Sequence, residues 1–308
     1  MQILDLLHKL PLEEISDIYI QSNQVFYYKI SGQIHQGQVF INQEMVLNFM
    51  TQNLPAQKQN DLFAGIEQNI SLYYKENYYR LHFFLSQNLP AINIRVLPKI
   101  IKNQNLLSKL PILKESINQN QNGLLLIAGS TGSGKTTSAN AILNFINQEK
   151  VLHIVCIEDP IEYRHSNQKS IFTYREVGID TQSFHSGILS ALRQDPNIIF
   201  VGELRQKEAI ESALLASQTG HFVIATLHGG TFTNAILRFL SVFKDKASAA
   251  SEMADSLIGI LLQTKNHQKF EVSYLPATSA IKNLIKEQKF SQIHSQANLI
   301  LKNQSLQG

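Results

Sequence analysis

"GLLLIAGSTGSGKT", residues 123–136, joins a short apolar run to a glycine-rich loop. The loop has the spacing G-x-x-x-x-G-K-[ST], and the segment "TSANAILNFINQ" that follows it has helical spacing. A strand, such a loop and a helix in this order bind phosphate groups, because backbone N–H groups and the helix N-terminus face the anion. The stretch therefore predicts a nucleotide-binding α/β domain.

The chain after this loop continues the pattern. "VLHIVCIED", "NIIFVGE" and "HFVIATLH" are apolar runs without alternation, and helical segments such as "KEAIESALLASQ" separate them. Continuous apolar strands that alternate with helices indicate a mainly parallel sheet covered on both faces. From Ala247 onward the pattern is largely helical.

Residues 1–98 follow a different pattern. Between Ser16 and Phe40, short alternating runs rich in aromatic and β-branched residues predict antiparallel strands. "NQEMVLNFMTQNL" has helical spacing, whereas "ISLYYKENYYRLHFFLSQ" and "AINIRVL" return to strands. We expect a small α+β domain here, followed by a linker at 99–122 that contains Pro111 and the polar run "NQNQNG".

The composition limits the class of protein. A formal charge of +3 over 308 residues gives no strong electrostatic case for nucleic-acid binding. No run approaches the roughly 20 apolar residues that cross a bilayer, so we expect no transmembrane segment and a cytoplasmic protein. The single cysteine, Cys156, excludes internal disulfides and cysteine-rich zinc sites, and its apolar neighbours predict a core position.

The glycine-rich loop predicts contacts with ATP and Mg²⁺. Lys135 would reach the β- and γ-phosphates, and the Thr136 hydroxyl would bind Mg²⁺. The predicted nucleotide-binding residues are Gly129, Ser130, Thr131, Gly132, Ser133, Gly134, Lys135, Thr136 and Thr137.

Ionisable side chains follow three further apolar runs, at the points where the strands would end. "IEDPIEY" contains Glu158, Asp159 and Glu162, "FVGE" ends in Glu203, and "ATLH" ends in His228. Ligands of open α/β sheets bind at the carboxyl ends of the strands. Carboxylates there can orient the attacking water, and an imidazole can contact the γ-phosphate. Each residue alone is typical of a solvated strand end, but together they favour a catalytic site.

These segments, in this order, resemble the secretion and pilus motor ATPases of the type II/type IV superfamily, most closely the PilT-like retraction branch. "GSTGSGKTT" is similar to the family's Walker A motif, "IEDPIEY" to its Asp box, "ALRQDPNIIFVGELR" to its Walker B region and "TGHFVIATLH" to its His box. "AIKNLIKEQKFSQI" resembles the AIRNLI signature of the retraction branch. The resemblance implies a RecA-like P-loop motor core over residues 123–308, preceded by a small PAS-like domain.

The resemblance also implies residue roles. Gly202 stands where other ATPases place a magnesium-binding aspartate, but glycine is normal there in this family, so Glu203 would activate the water. Mg²⁺ would be bound through Thr136 and Glu158. The implied catalytic residues are Glu203, Glu158, Glu162, His228, His221, Arg80, Arg95 and Arg193.

Two of these, Arg80 and Arg95, match arginines of the first domain that close onto the nucleotide. Phosphoryl transfer spreads negative charge over the γ-oxygens, which a guanidinium can stabilise. Without the resemblance, a local ion pair or a strand-edge role is favoured for both residues.

The resemblance implies a homo-hexameric motor that retracts a type IV pilus at the inner face of the cytoplasmic membrane by acting on an inner-membrane platform protein, with no nucleic acid as partner. The chain departs from the family at Asn197, at Gln206 and at Gly229-Gly230. The departures at Gln206 and Gly229-Gly230 keep open a DotB- or TraJ-like ATPase of a type IV secretion, conjugation or competence system. A RecA-like nucleic-acid motor and a nucleotide-binding ring without hydrolysis are further alternatives.

Overall fold

The computed structural model describes residues 3–8, 10–12, 14–75, 77–97, 105–266 and 269–305. Their contacts divide the chain into two compact units. Unit 1 comprises Met1–Ile100 and the short segment Pro160–Arg164, and unit 2 comprises Ile101–Asp159 and His165–Gly308. The predicted domain boundary between residues 98 and 99 lies outside the described residues.

The elements of unit 1 are α1 (Ile3–His8), β1 (Ile15–Gln21), β2 (Gln24–Ile30), β3 (Gln33–Ile41), α2 (Gln43–Asn53), α3 (Ala56–Phe63), β4 (Gln68–Tyr74), β5 (Asn77–Ser86) and β6 (Leu89–Leu97). The strands form an antiparallel sheet in the order β3-β2-β1-β6-β5-β4. The predicted α+β pattern of antiparallel strands around one helical stretch is confirmed.

One face of this sheet forms the core of unit 1. Along β1 the side chains of Ile18 and Ile20 are buried, whereas Asp17 points to the other face, as the two-residue repeat of a strand requires. Phe49 of α2 and Leu62 of α3 pack into the same apolar cluster. The opposite face of the sheet carries Asp17 together with aromatic side chains such as Tyr19 and Tyr27.

The elements of unit 2 are α4 (Leu106–Lys109), α5 (Pro111–Gln119), β7 (Gly123–Gly129), α6 (Lys135–Glu149), β8 (His153–Glu158), β9 (Ile171–Glu176), α7 (Phe184–Ala191), β10 (Ile198–Val201), α8 (Lys207–Gln218), β11 (Phe222–His228), α9 (Phe232–Leu240), α10 (Lys246–Ser256), β12 (Leu257–Asn266), β13 (Lys269–Pro276), α11 (Ser279–Lys286) and α12 (Phe290–Ser305). The strands form a sheet in the order β13-β12-β7-β11-β10-β8-β9. Neighbouring strands are parallel except β12 and β13.

Helices cover both faces of the second sheet. Leu124 and Leu126 of β7 belong to one apolar cluster with residues of α7 to α12, including Ile210 of α8. Leu125 and Ile127 are also fully buried but point to the other face, which α6 covers. Strands buried on both faces explain the apolar runs without alternation, and the four such runs form β7, β8, β10 and β11 as predicted.

Two stretches of unit 2 differ from the sequence-based expectation. Residues 99–122, expected to be a linker, contain α4 and α5, because Leu113 and Ile117 form a buried stripe behind Pro111. The prediction of a largely helical C-terminal part is wrong for residues 257–276, which form β12 and β13. None of the described helices is long and apolar enough to cross a membrane.

Candidate nucleotide-binding site

The predicted phosphate-binding loop lies between the end of β7 and the start of α6, as the motif requires. Gly132 and Gly134 have φ angles of +73° and +89°, in the left-handed region that glycine adopts without a Cβ clash. Gly134 is the N-cap residue directly before α6, so the turn into the helix depends on it. The helix N-terminus and the loop N–H groups together form a cradle suited to an anion.

Gln263 of β12 forms the floor of this loop. It pairs in register with Gly129 across the β7–β12 ladder, and its side chain is buried. The Ser138 hydroxyl donates to Gln263 Oε1 at 2.7 Å, and a Cβ on Gly134 would lie 2.8 Å from Gln263 Nε2. A side chain at position 134 is thus disfavoured both by its φ angle and by Gln263. Sequence reasoning missed Gln263, although a polar residue in the apolar run "LIGILLQ" is a signal.

Lys135 folds back over the loop. Its Nζ donates to the carbonyl oxygens of Gly129 at 3.1 Å and Ser130 at 3.0 Å, which holds the ammonium group above the loop backbone. The Ser133 hydroxyl is fully buried and has no hydrogen-bond partner among the described residues. A buried donor within an N–H-rich loop, next to a lysine, fits a phosphate group. Thr136 and Thr137 lie in the first turn of α6.

The predicted carboxylates follow strands that end at the same edge of the sheet as this loop. Glu158 ends β8, and Gly202 and Glu203 follow β10, which pairs in register with β8. His228 ends β11 opposite Gly129 of β7, and its side chain is exposed. Parallel strands in register bring their carboxyl ends to one edge, so loop, carboxylates and imidazole share that edge.

Glu158 explains the glycine at position 202. The Glu158 side chain is 2% exposed, and a Cβ on residue 202 would lie 3.1 Å from Glu158 Cγ. An aspartate at position 202 would compete with Glu158 for the same space, so the buried carboxylate at this point comes from β8. Cys156, also on β8, is a buried core residue as predicted, and burial, with the charge of Glu158 as a smaller cause, raises its thiol pKa.

Glu203 forms an ion pair that sequence reasoning missed. Its Oε2 lies 2.7 Å from Nη2 of Arg205, and this hydrogen bond is the main reason that the pKa of Arg205 lies above its ordinary value. Arg205 is largely exposed, whereas Glu203 is partly buried. A surface ion pair of this kind contributes about 0–1 kcal/mol to stability, so it orients Glu203 more than it stabilises the fold.

His221 and Arg193 do not lie near the loop. The residue after His221, Phe222, pairs with Gly123 at the start of β7, so His221 is about 20 Å along β11 from His228. Arg193 lies in the turn that leads to the start of β10. Both residues are at the amino ends of parallel strands, and the prediction that they join His228 at this site is corrected.

The remaining predicted residues belong to unit 1. Arg80 of β5 and Arg95 of β6 lie directly opposite each other in the sheet. Arg95 Nε donates to Asp17 Oδ1 at 2.9 Å, and Arg80 Nη1 lies 3.8 Å from Oε1 of Glu162, which groups with unit 1. Each arginine therefore has a local carboxylate partner. Glu162 groups with Arg80 in unit 1, whereas Glu158 belongs to unit 2, so the predicted shared role of Glu158 and Glu162 stays a prediction.

The family follows from a comparison with known proteins. Residues 86–291 match the family described as "Type II/IV secretion system protein". The chain belongs to this family. Most of unit 2, with the loop and the strand-end carboxylates, lies within the matched residues, and Arg80 lies just before them.

Two relatives named for pilus function align with large parts of the chain. A "Twitching motility protein" of Neisseria gonorrhoeae is 37% identical over 225 residues, which are 70% of this chain and 60% of that protein. The "Type IV pilus retractation ATPase PilT" of Pseudomonas aeruginosa is 43% identical over 180 residues, 56% of this chain and 52% of that protein. The chain thus spans between half and two thirds of these relatives.

A solved structure of the family has the same fold. The crystal structure of the pilus retraction motor PilT with bound ADP superposes with a TM-score of 0.86, at 32% identity, and covers 99% of this chain and 92% of that chain. The predicted α/β fold class, a P-loop core of the secretion ATPase type, is confirmed.

Proposed function

We propose that this protein is a Mg²⁺-dependent ATPase that works as the retraction motor of a type IV pilus. The observation that carries the proposal is the phosphate loop, with Lys135 folded over it, at the same sheet edge as Glu158 and Glu203. The relatives named for twitching motility and pilus retraction support this choice.

ATP binds through its phosphates to the loop of residues 129–136 in this proposal. Backbone N–H groups and the N-terminus of α6 hold the phosphate oxygens, and Lys135 exchanges its carbonyl acceptors for the β- and γ-phosphates. Mg²⁺ favours oxygen ligands and is usually held by one or two protein groups together with the phosphates. The Thr136 hydroxyl and the buried Glu158 carboxylate offer such oxygens. Mg²⁺ held by these residues would neutralise part of the phosphate charge.

Hydrolysis requires a residue that orients the attacking water. Glu203 is the candidate, because its carboxylate is partly buried, is held by Arg205 and follows the strand next to β11. His228 at the end of β11 contacts the γ-phosphate. We leave His221 and Arg193 out of this site.

Arg80 and Arg95 supply positive charge from unit 1. The family resemblance supports this part of the proposal, and the pairing of the two residues across β5 and β6 gives one face of the sheet two guanidinium groups. Stabilisation by a guanidinium is worth most when it is delivered only at the transition state. Movement of unit 1, which we take to be a PAS-like domain, is thereby coupled to hydrolysis.

The resemblance to pilus motors also supports a proposal for the assembly. We place the protein as a homo-hexamer at the cytoplasmic face of the inner membrane, where it acts on the platform protein of the pilus. The departures at Gln206 and Gly229-Gly230 favour a secretion, conjugation or competence ATPase as the second candidate. Cells that lack the protein distinguish the two, because loss of pilus retraction supports the first and loss of secretion or DNA transfer alone supports the second.

The test of the enzymatic proposal is the Lys135→Ala variant. We expect ATP turnover to fall to background, since the charge over the phosphate loop is lost. Lys150→Ala is the matched control, because Lys150 caps the other end of α6 and donates to the Ile117 carbonyl oxygen. Glu203→Gln should bind ATP without hydrolysing it. Undiminished turnover in Lys135→Ala would overturn the site, and unchanged turnover in Glu203→Gln would overturn its catalytic role.

A further inference from the structure

Two buried polar side chains outside the phosphate loop meet beside the first turn of α6. Asn140 of α6 is 5% exposed, and His165, which directly follows the segment Pro160–Arg164, is 7% exposed. His165 Nε2 lies 2.9 Å from Asn140 Oδ1, and Asn140 Nδ2 donates to the Thr136 carbonyl oxygen at 2.9 Å. Two hydrogen bonds therefore connect His165 to the backbone of Thr136.

The geometry assigns donor and acceptor in this chain of contacts. The Asn140 Nδ2 group donates to a carbonyl oxygen, which leaves Oδ1 as the side-chain atom that contacts His165. An amide oxygen only accepts hydrogen bonds, so His165 Nε2 must carry a proton and donate. The imidazole is neutral, because burial lowers the pKa of His165 to about 3. The ring stacks on Phe172 with centroids 4.8 Å apart, and the His165 backbone N–H donates to the Tyr174 hydroxyl. The orientation of the imidazole is therefore fixed on several sides.

Asparagine at this position is unexpected for a helix interior. It has a lower helix propensity than the straight-chain residues, and a buried amide costs free energy unless its hydrogen bonds are made. Here both amide atoms have partners, and one of these is the carbonyl oxygen of a residue that the proposed function places at Mg²⁺. The free-energy cost of burying this amide is offset because its hydrogen bonds fix the backbone of the first helical turn.

We propose that Asn140 and His165 are positioning residues for the nucleotide. They hold the Thr136 backbone, and through it the hydroxyl that the proposed function assigns to Mg²⁺, without being ligands of the nucleotide themselves. This inference rests on the proposed function. It also links the orientation of Thr136 to the residue that follows Pro160–Arg164, the segment that groups with unit 1.

Asn147 is a matched control on the same helix. Its side chain is fully buried, accepts hydrogen bonds from the backbone of Gln168 and Ser170 and donates to the Ser166 carbonyl oxygen. Asn147 thus connects α6 to the loop just after His165, but about three turns away from Thr136. Loss of Asn147 should affect stability and leave Thr136 in place.

The experiment measures ADP binding to the purified full chain by calorimetry, with Mg²⁺ and with EDTA. We expect Asn140→Ala and His165→Ala each to weaken binding about five- to tenfold with Mg²⁺, as the loss of one buried hydrogen bond does, and less with EDTA. The double variant should have about the same ADP affinity as the single variant that binds ADP more weakly, since both residues act through the same pair of consecutive hydrogen bonds. His165→Gln retains an N–H donor and should recover part of the loss.

Several results would overturn the inference. The inference fails if Asn140→Ala and His165→Ala bind ADP with wild-type affinity. It also fails if their loss of ADP affinity is the same with and without Mg²⁺, or if Asn147→Ala loses as much ADP affinity as they do. If Lys135→Ala loses ADP binding while Asn140→Ala and His165→Ala retain it, the proposed function stands and the positioning role falls. If the wild-type chain binds no ADP, both fall. Circular dichroism shows that each variant is folded, and His165→Gln gives the decisive comparison if His165→Ala is not.

Discussion

At the scale of single residues, Gly202 is a packing requirement of the buried Glu158 carboxylate. We predict that Gly202→Ala lowers the free energy of unfolding by about 1–2 kcal/mol, because a Cβ there overpacks against Glu158. ATP turnover should fall as well, since the carboxylate must move. Urea denaturation and a steady-state ATPase assay measure the two effects.

Gly230 provides the control for this substitution. A Cβ on Gly230 would meet nothing within 4 Å, so Gly230→Ala should leave the free energy of unfolding near its wild-type value. If the wild type and Gly202→Ala are equally stable, Glu158 can shift without a free-energy cost. Packing against Glu158 is then not the reason for glycine at position 202.

Single residues were predictable from the sequence only where the motif is local. The phosphate loop, Glu158, Glu203 and His228 were found because each directly follows an apolar run, and their roles stay predictions. Partners distant in the chain were not found. Ser138 and Gln263 are separated by 125 positions, so no short motif contains both.

At the scale of elements, β12 is the strand on which the phosphate loop rests. We predict that Gln263→Leu lowers the free energy of unfolding by about 1–3 kcal/mol, because the buried Ser138 hydroxyl loses its acceptor. ADP binding should weaken at the same time, since the floor under Gly134 changes shape. Chemical denaturation and calorimetry measure these changes.

A second substitution separates the hydrogen bond from the packing. Ser138→Ala combined with Gln263→Leu removes both polar partners and should recover most of the lost stability. If Gln263→Leu is as stable as the wild type, the Ser138–Gln263 contact does not support the loop.

The sequence predicted the strands and helices around the loop but not β12 and β13. An apolar run such as "LIGILL" fits a buried strand or a buried helix equally, and only its place beside β7 decides between them. The sequence of α4 and α5 predicts a linker, because Pro111 and the polar run dominate the local pattern. The buried face of each helix has only two residues, which are Leu106 and Leu107 in α4 and Leu113 and Ile117 in α5.

At the scale of the whole molecule, the proposed motor requires that unit 1 acts on a nucleotide bound by unit 2. We predict that Arg95→Ala lowers kcat by about 100-fold or more, as the loss of a transition-state arginine does. Stability should fall by only about 1–2 kcal/mol, because the Arg95 side chain is 60% exposed, although Asp17, at 17% exposed, loses its partner. A steady-state ATPase assay and thermal denaturation measure the two effects.

Asp17→Asn is the matched variant for this prediction, since it removes the partner and keeps the guanidinium. We expect its kcat to stay within about twofold of the wild type. Wild-type turnover in Arg95→Ala would assign the arginine to local pairing with Asp17. Neither the ring nor the membrane partner is encoded in a local pattern, so both rest on the family resemblance.

The position of Gln263 beneath the phosphate loop has a consequence for protein synthesis. A nascent chain contains the complete phosphate-binding motif once residue 136 is made, but β7 gains its β12 neighbour and the loop gains its support only after residue 263 has left the ribosome. We therefore expect nucleotide binding to be acquired late in translation. Chains that stop before β12 should be unable to bind ATP, so truncated products would not compete with full-length chains for nucleotide.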